Sequence, residues 1–104
     1  MKVTTIGIDI AKAKMHLVGC DENGEAKFRK ALKAEEMMAF LARQPREALL
    51  AMEACGGSSH WARKCMALGF RVRLVSPERA AKRRDGQKND YNDCLAIAEE
   101  ARRG

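Results

Sequence analysis

The stretch KVTTIGIDI, residues 2–10, constrains the fold of this chain more than any other. It is rich in β-branched residues and lacks the strict polar alternation of a strand with one wet face. It therefore reads as a central strand covered on both sides. Inside it sits Asp9, among residues that favour burial. A carboxylate in such a place is costly unless it is paired, protonated or bound to a metal. Gly7, two residues earlier on the same strand face, leaves room beside it.

The segments that follow supply a sheet around this strand. KMHLVGCD comes after a short bend, and the Asn23-Gly24 pair then marks a hairpin turn into AKFRKAL, so three consecutive antiparallel strands open the chain. From Lys33 to Arg43 the pattern turns helical, with Ala34, Met37, Met38 and Leu41 recurring at i, i+3, i+4 and i+7 until Pro45 ends it. EALLAME reads as a short buried strand. GGSSHWARKCMALG reads as a turn and a helix, with Ser58 or Ser59 as its N-cap. FRVRLVS is a fifth strand, closed by Pro77. Residues 77–88 combine a proline, a glycine and a run of charge, and are expected to form a mobile loop. A last helix starts near Asn89 and continues to Ala101. The right-handed crossover rule places strands four and five parallel to strand one. The expected fold is a single α/β domain over residues 1–104, a mixed five-stranded sheet with flanking helices.

Bulk properties exclude several classes. No apolar run approaches the roughly 18 residues needed to span a bilayer, and the N-terminus lacks a secretory h-region and cleavage site. A soluble cytoplasmic protein with no membrane partner is expected. Cys20, Cys55, Cys65 and Cys94 are scattered without a CxxC pair and read as packing thiols. Cys55, His60 and Cys65 imitate a zinc site but lack a fourth ligand at sensible spacing. Trp61 begins a helix face with Cys65 and Leu68 and reads as core. The net charge of +6 points to a polyanionic partner, and residues 71–88 carry seven of the twenty Lys and Arg. Lys82, Arg83, Arg84 and Lys88 are the candidate phosphate contacts. Lys12 joins them, with a solvated hairpin lysine as its alternative.

The remaining acids give Asp9 company. Glu53 ends the apolar run ALLAME directly before Cys55-Gly56-Gly57, and with strands one and four adjacent it emerges beside Asp9. On the last helix Cys94, Ile97 and Ala101 form the apolar face. Asp90, four residues before Cys94, and Asp93, the i+3 neighbour of Asp90, continue it. Like charges at 4 Å repel by about 1 kcal/mol in water and about 4 kcal/mol at an effective dielectric of 20. A divalent cation offsets that repulsion. The all-oxygen set Asp9, Glu53, Asp90 and Asp93 favours Mg²⁺ or Mn²⁺ over zinc, while His16 and His60 have no matching ligands and read as structural. Such centres serve in-line displacement at phosphate.

IGIDIAK, MEACGGSSHWAR and ALGFRVRLVSPERAAKRRDGQKNDYNDCLAIAE together resemble the N-terminal domain of the insertion-sequence "one-ten" transposases. These are DEDD-type, RuvC-like recombinases guided by a bridge RNA. The resemblance covers essentially all of the chain. It implies an RNase H-like fold and a D-E-D-D catalytic metal site at Asp9, Glu53, Asp90 and Asp93. It also implies DNA as substrate, a guide RNA as partner, a homo-oligomer (dimer or higher) and a bacterial cytoplasm. The family continues into a second domain that supplies a serine nucleophile, and this chain stops before it. Ser58 and Ser59 belong to the helix start and do not replace that serine. The expectation is a metal-binding and nucleic-acid-binding half of a recombinase with little strand transfer alone. The alternative is a non-catalytic nucleic-acid-binding or dimerisation remnant. IGIDIAK also resembles the phosphate loop of actin-like sugar kinases, but the second acid-and-glycine loop those need is not visible.

Overall fold

The two-residue period of a strand decides which side chains meet on each face of the sheet. In the computed structural model, which describes every residue except Met1, Lys12, Asp85, Gln87 and Lys88, that period organises the whole domain. The elements are β1 (Thr5–Asp9), β2 (Met15–Cys20), β3 (Ala26–Leu32), α1 (Ala34–Leu41), β4 (Leu49–Glu53), α2 (Ser58–Ala67), β5 (Arg71–Val75), α3 (Pro77–Arg83) and α4 (Asp90–Arg103). The strands lie in the order β3-β2-β1-β4-β5. β1 runs antiparallel to β2 and parallel to β4, and β5 continues parallel to β4. This is the mixed five-stranded sheet read from the sequence, with β1 at its centre.

One face carries the larger core. Ile6 and Ile8 of β1, Met15 and Leu17 of β2, and Leu50 and Met52 of β4 pack there against Met37 and Leu41 of α1 and Ala62 and Cys65 of α2. Trp61 packs against the same cluster, as expected. The opposite face is covered by α4. Val18 and Cys20 meet Cys94 and Ala98, and Ala51 and Val75 meet Ile97 and Ala101. Burying each large apolar side chain contributes about 1.5–3 kcal/mol, and the two layers together explain why β1 needs no polar alternation.

The β2–β3 hairpin turns at Gly24, whose φ of 85° lies in the left-handed region that glycine adopts without steric cost. Asp21, buried at the turn, accepts backbone N–H groups from Asn23 and Glu25 at 2.9 and 3.0 Å.

Two local expectations are corrected. Residues 77–83 form a helix, where a mobile loop was expected. Ser76 is its N-cap and accepts from the Arg79 N–H at 3.4 Å, and Pro77 occupies the first helical turn, where its missing N–H costs nothing. The proline that closes β5 thus also opens α3. At α2 the N-cap is Gly57, and neither serine caps by its side chain. Ser58 Oγ instead accepts from Cys55 N–H at 3.0 Å and donates to Cys55 C=O at 2.8 Å, which ties the preceding turn together. The cysteines are free; Cys20, Cys65 and Cys94 are buried as packing thiols, whereas Cys55, read the same way from sequence, is exposed in the turn before α2. No described helix is long and apolar enough to cross a membrane.

Candidate metal centre

The same period that builds the core sends Asp9, His16 and Glu53 to the α4 face. They alternate with Ile8, Leu17 and Met52, which point the other way. Asp9 pairs with His16 across the β1–β2 ladder. Glu53 follows Met52, the partner of Ile8 in the β1–β4 ladder, so it ends β4 one step past the last paired residues.

α4 delivers the other two acids. Asn89 caps it, accepting from Asn92 N–H at 2.8 Å, and this places Asp90 and Asp93 in the first turn. The helix can approach β1 closely because Gly7 has no side chain. A Cβ there would collide with the Cys94 carbonyl and come within 3.1 Å of the Ala98 Cβ. The Cys94 thiol also donates to the His16 carbonyl at 3.0 Å. Gly7 therefore sets the height of α4 above the acids.

Two groupings result, with Asp9 in both. Asp9, Glu53 and Asp93 line a cavity of about 230 Å³, walled by Pro77, Ala80, Ala81, Arg84 and Ala96. Asp9, His16 and Asp90 place one ligand atom each within 4.8 Å of one another. Partial burial, followed by the negative charges of Asp93, Asp90 and Glu53, pushes the Asp9 carboxyl up to about 6, against a smaller opposing effect of His16. Among the described residues the ligand atoms that lie within 4.8 Å of one another are those of Asp9, His16 and Asp90; Glu53 and Asp93 are not in that group and meet Asp9 along the cavity.

The sequence offers His16 no matching ligands, whereas the structure places Asp9 and Asp90 beside it. Its Nε2 lies 3.3 Å from Asp90 Oδ2. The available signal was hairpin register, since cross-strand partners share a face, and the bend between β1 and β2 makes Asp9 and His16 such a pair. By contrast, among the described residues Cys55, His60 and Cys65 form no metal-ligating group.

The candidate phosphate contacts divide. Arg84 pairs with Asp93 at 3.4 Å. Arg83 pairs with Glu100 of α4 at 2.8 Å, and Arg79 lies 3.9 Å from the same carboxylate. Arg83 and Arg84, expected to face a polyanion, are engaged with acids of the domain itself. Lys82 is exposed near the end of α3. Lys12 and Lys88 lie outside the described residues.

The donor set suits a hard divalent cation: carboxylate oxygens from three elements, one imidazole, and mutual repulsion that a cation would relieve.

The chain is similar to known transposases over nearly all of its length. A family model described as a transposase, of the IS110 DEDD type, matches residues 6–104. The transposase for insertion sequence element IS1111A of Coxiella burnetii is 37% identical over 101 residues, covering 97% of this chain and 28% of that protein. A probable family 20 transposase of Pseudomonas aeruginosa is 37% identical over 103 residues, covering 99% of this chain and 30% of that protein. The chain thus spans less than a third of the length of these relatives. Among solved structures, Thermus thermophilus RuvC in complex with a Holliday junction substrate superposes with a TM-score of 0.64, at 13% identity, over 94% of this chain and 90% of that one. That likeness shows the fold, which is RNase H-like and RuvC-like. With the matched family model spanning nearly every residue, the chain belongs to the DEDD transposases of the IS110 type.

Proposed function

We propose that this chain is the metal-binding half of an insertion-sequence transposase, in which Asp9, Glu53, Asp90 and Asp93 hold Mg²⁺ or Mn²⁺ for phosphoryl transfer on DNA. The observation that carries this reading is that Asp9 belongs to two groupings, one with His16 and Asp90 and one with Glu53 and Asp93 along a cavity, and its carboxyl is pushed up to about 6 by burial and by the charges of the other three acids. A fold with no use for a cation gains nothing from that repulsion.

When bound, the cation supplies stabilisation for charge that builds on phosphate oxygens during in-line displacement. The chain's own residues do the rest. Asp9 anchors both groupings from the rigid central strand, and Glu53 and Asp93 shape the cavity wall. Arg84, at the cavity edge, and exposed Lys82 are placed to receive a backbone phosphate, with Arg84 exchanging Asp93 for it. Ser58 serves no nucleophilic role in this reading, because its hydroxyl is buried and bonded to Cys55. The nucleophilic serine belongs to a second domain of the full transposase. Guide RNA, homo-oligomeric assembly and a bacterial cytoplasmic setting complete the proposal.

The pairing of Arg84 with Asp93 favours a second reading, a nucleic-acid-binding or dimerisation module whose acids are neutralised internally. Metal titration separates the two. Melting of the 104-residue chain should rise with Mn²⁺ or Mg²⁺ and stay flat in Asp9→Asn and Glu53→Gln. Superimposable wild-type curves with and without metal, alongside salt-sensitive nucleic-acid binding that survives both substitutions, would establish the second reading.

A further inference from the structure

We infer that His16 is a nitrogen ligand of the bound cation, shared with Asp9 and Asp90, and that it tilts the site toward Mn²⁺ over Mg²⁺. The inference rests on the metal-centre reading above and adds a residue outside the four-acid pattern. His16 Nε2 is 3.3 Å from Asp90 Oδ2. Two adjacent ligands on an octahedral ion with bonds of about 2.1 Å are roughly 3 Å apart, so this pair already has the spacing of neighbours on one ion. The third ligand atom, from Asp9, lies within 4.8 Å of both.

The ring is held for this task. Its strand position is fixed opposite Asp9, its carbonyl accepts from the Cys94 thiol, and the Tyr91 ring meets it edge-on with centroids 5.7 Å apart. Its Nδ1 is buried without a hydrogen-bond partner among the described residues, so Nε2 is the nitrogen that faces the acids. Asp90 is well exposed, which leaves the outer side of the group open to solvent and substrate. Imidazole is a borderline donor. Mg²⁺ prefers oxygen and keeps its waters, whereas Mn²⁺ accepts a mixed oxygen and nitrogen set more readily.

The test is pulsed electron paramagnetic resonance of the Mn²⁺-loaded 104-residue chain. Electron spin-echo modulation from a directly bound ¹⁴N is expected, and it should change to the ¹⁵N pattern on selective ¹⁵N-histidine labelling. It should disappear in His16→Gln and persist in His60→Gln. Metal titrations should show His16→Gln weakening Mn²⁺ by at least roughly tenfold, since loss of even an outer partner has that scale, with a much smaller effect on Mg²⁺. Bound Mn²⁺ without histidine nitrogen modulation, or equal losses for both metals, overturns the role of His16 and leaves the acid centre standing. Failure of the wild-type chain to bind either metal overturns both. The labelling experiment uses wild-type protein, so it decides the matter even where His16→Gln folds poorly.

Discussion

Asp9→Asn should make the metal-free domain more stable at neutral pH, although it alters the residue that the proposed chemistry most needs. The Asp9 carboxyl titrates at about 6 in the folded chain against an ordinary 3.8. At 1.36 kcal/mol per pH unit the gap corresponds to about 3 kcal/mol, and discounting for partial solvent access leaves about 2 kcal/mol. The sign follows from proton linkage. Below 3.8 the group is protonated in both states and adds no penalty. Between 3.8 and about 6 the folded form holds the proton more tightly, so stability falls as pH rises. Above about 6 the penalty is complete. Asn removes it. In a domain of this size about 2 kcal/mol moves the melting temperature by on the order of 10 °C. The assay is thermal and urea unfolding in EDTA at pH 4 and pH 7.5. The variant should exceed wild type at pH 7.5, and the gap should shrink at pH 4. With Mn²⁺ at about a hundred times its Kd, wild type alone should gain about 2.7 kcal/mol, and the order should reverse. A variant that melts below wild type at pH 7.5 in EDTA, or a gap that ignores pH, would refute the argument.

Three further outcomes are expected. Gly7→Ala forces a methyl group against the Cys94 carbonyl and should cost about 1–3 kcal/mol in urea unfolding, with α4 losing amide-exchange protection before the rest; unchanged protection would show that α4 does not rest on Gly7. Arg84→Ala removes the cation beside Asp93 and should tighten metal binding severalfold while lowering the salt dependence of DNA binding by about one phosphate contact, read by calorimetry and by anisotropy across salt concentrations; weaker metal binding would contradict it. Native-state alkylation followed by mass spectrometry should mark Cys55 first. Cys20, Cys65 and Cys94 are buried, and burial pushes the Cys65 thiol up to about 11, so equal rates at all four would contradict the packing described.

The sequence made the sheet legible because its signals there are local. β-branched runs, one Asn-Gly turn and two helical crossovers leave few alternatives for strand order, and the structure follows them. Strand parity and helix periodicity point Asp9, Glu53, Asp90 and Asp93 to one side, but they do not show the split between the group of Asp9, His16 and Asp90 and the cavity lined by Asp9, Glu53 and Asp93. What failed was where one residue type serves two purposes. Pro77 stops β5 and opens α3, and charge density argued for a loop where Ser76 already offered a cap. Ser58 looks like a cap and instead binds the turn behind it. His16 was hidden because its neighbours come from cross-strand register and from a helix 78 residues further on. Arg83 and Arg84 differ again, since a sequence displays their charge but not the Glu100 and Asp93 that engage it.

The closing contact between β2 and α4 also bears on how the protein is made. The Cys94 thiol reaches the His16 carbonyl across 78 residues, and the centre itself draws on residues from Asp9 to Asp93. The β1–β2 hairpin brings Asp9 and His16, the first crossover adds Glu53, and Asp90 and Asp93 arrive only with α4. A growing chain emerges from the ribosome at about 5–20 residues per second and folds as its domains complete. Until α4 is out and seated on Gly7, the nascent polypeptide holds Asp9, His16 and Glu53 without the two acids that complete the centre. A ribosome stalled before residue 90 would therefore release a peptide lacking this centre, so partial synthesis products carry none of the DNA-directed chemistry proposed for the finished domain.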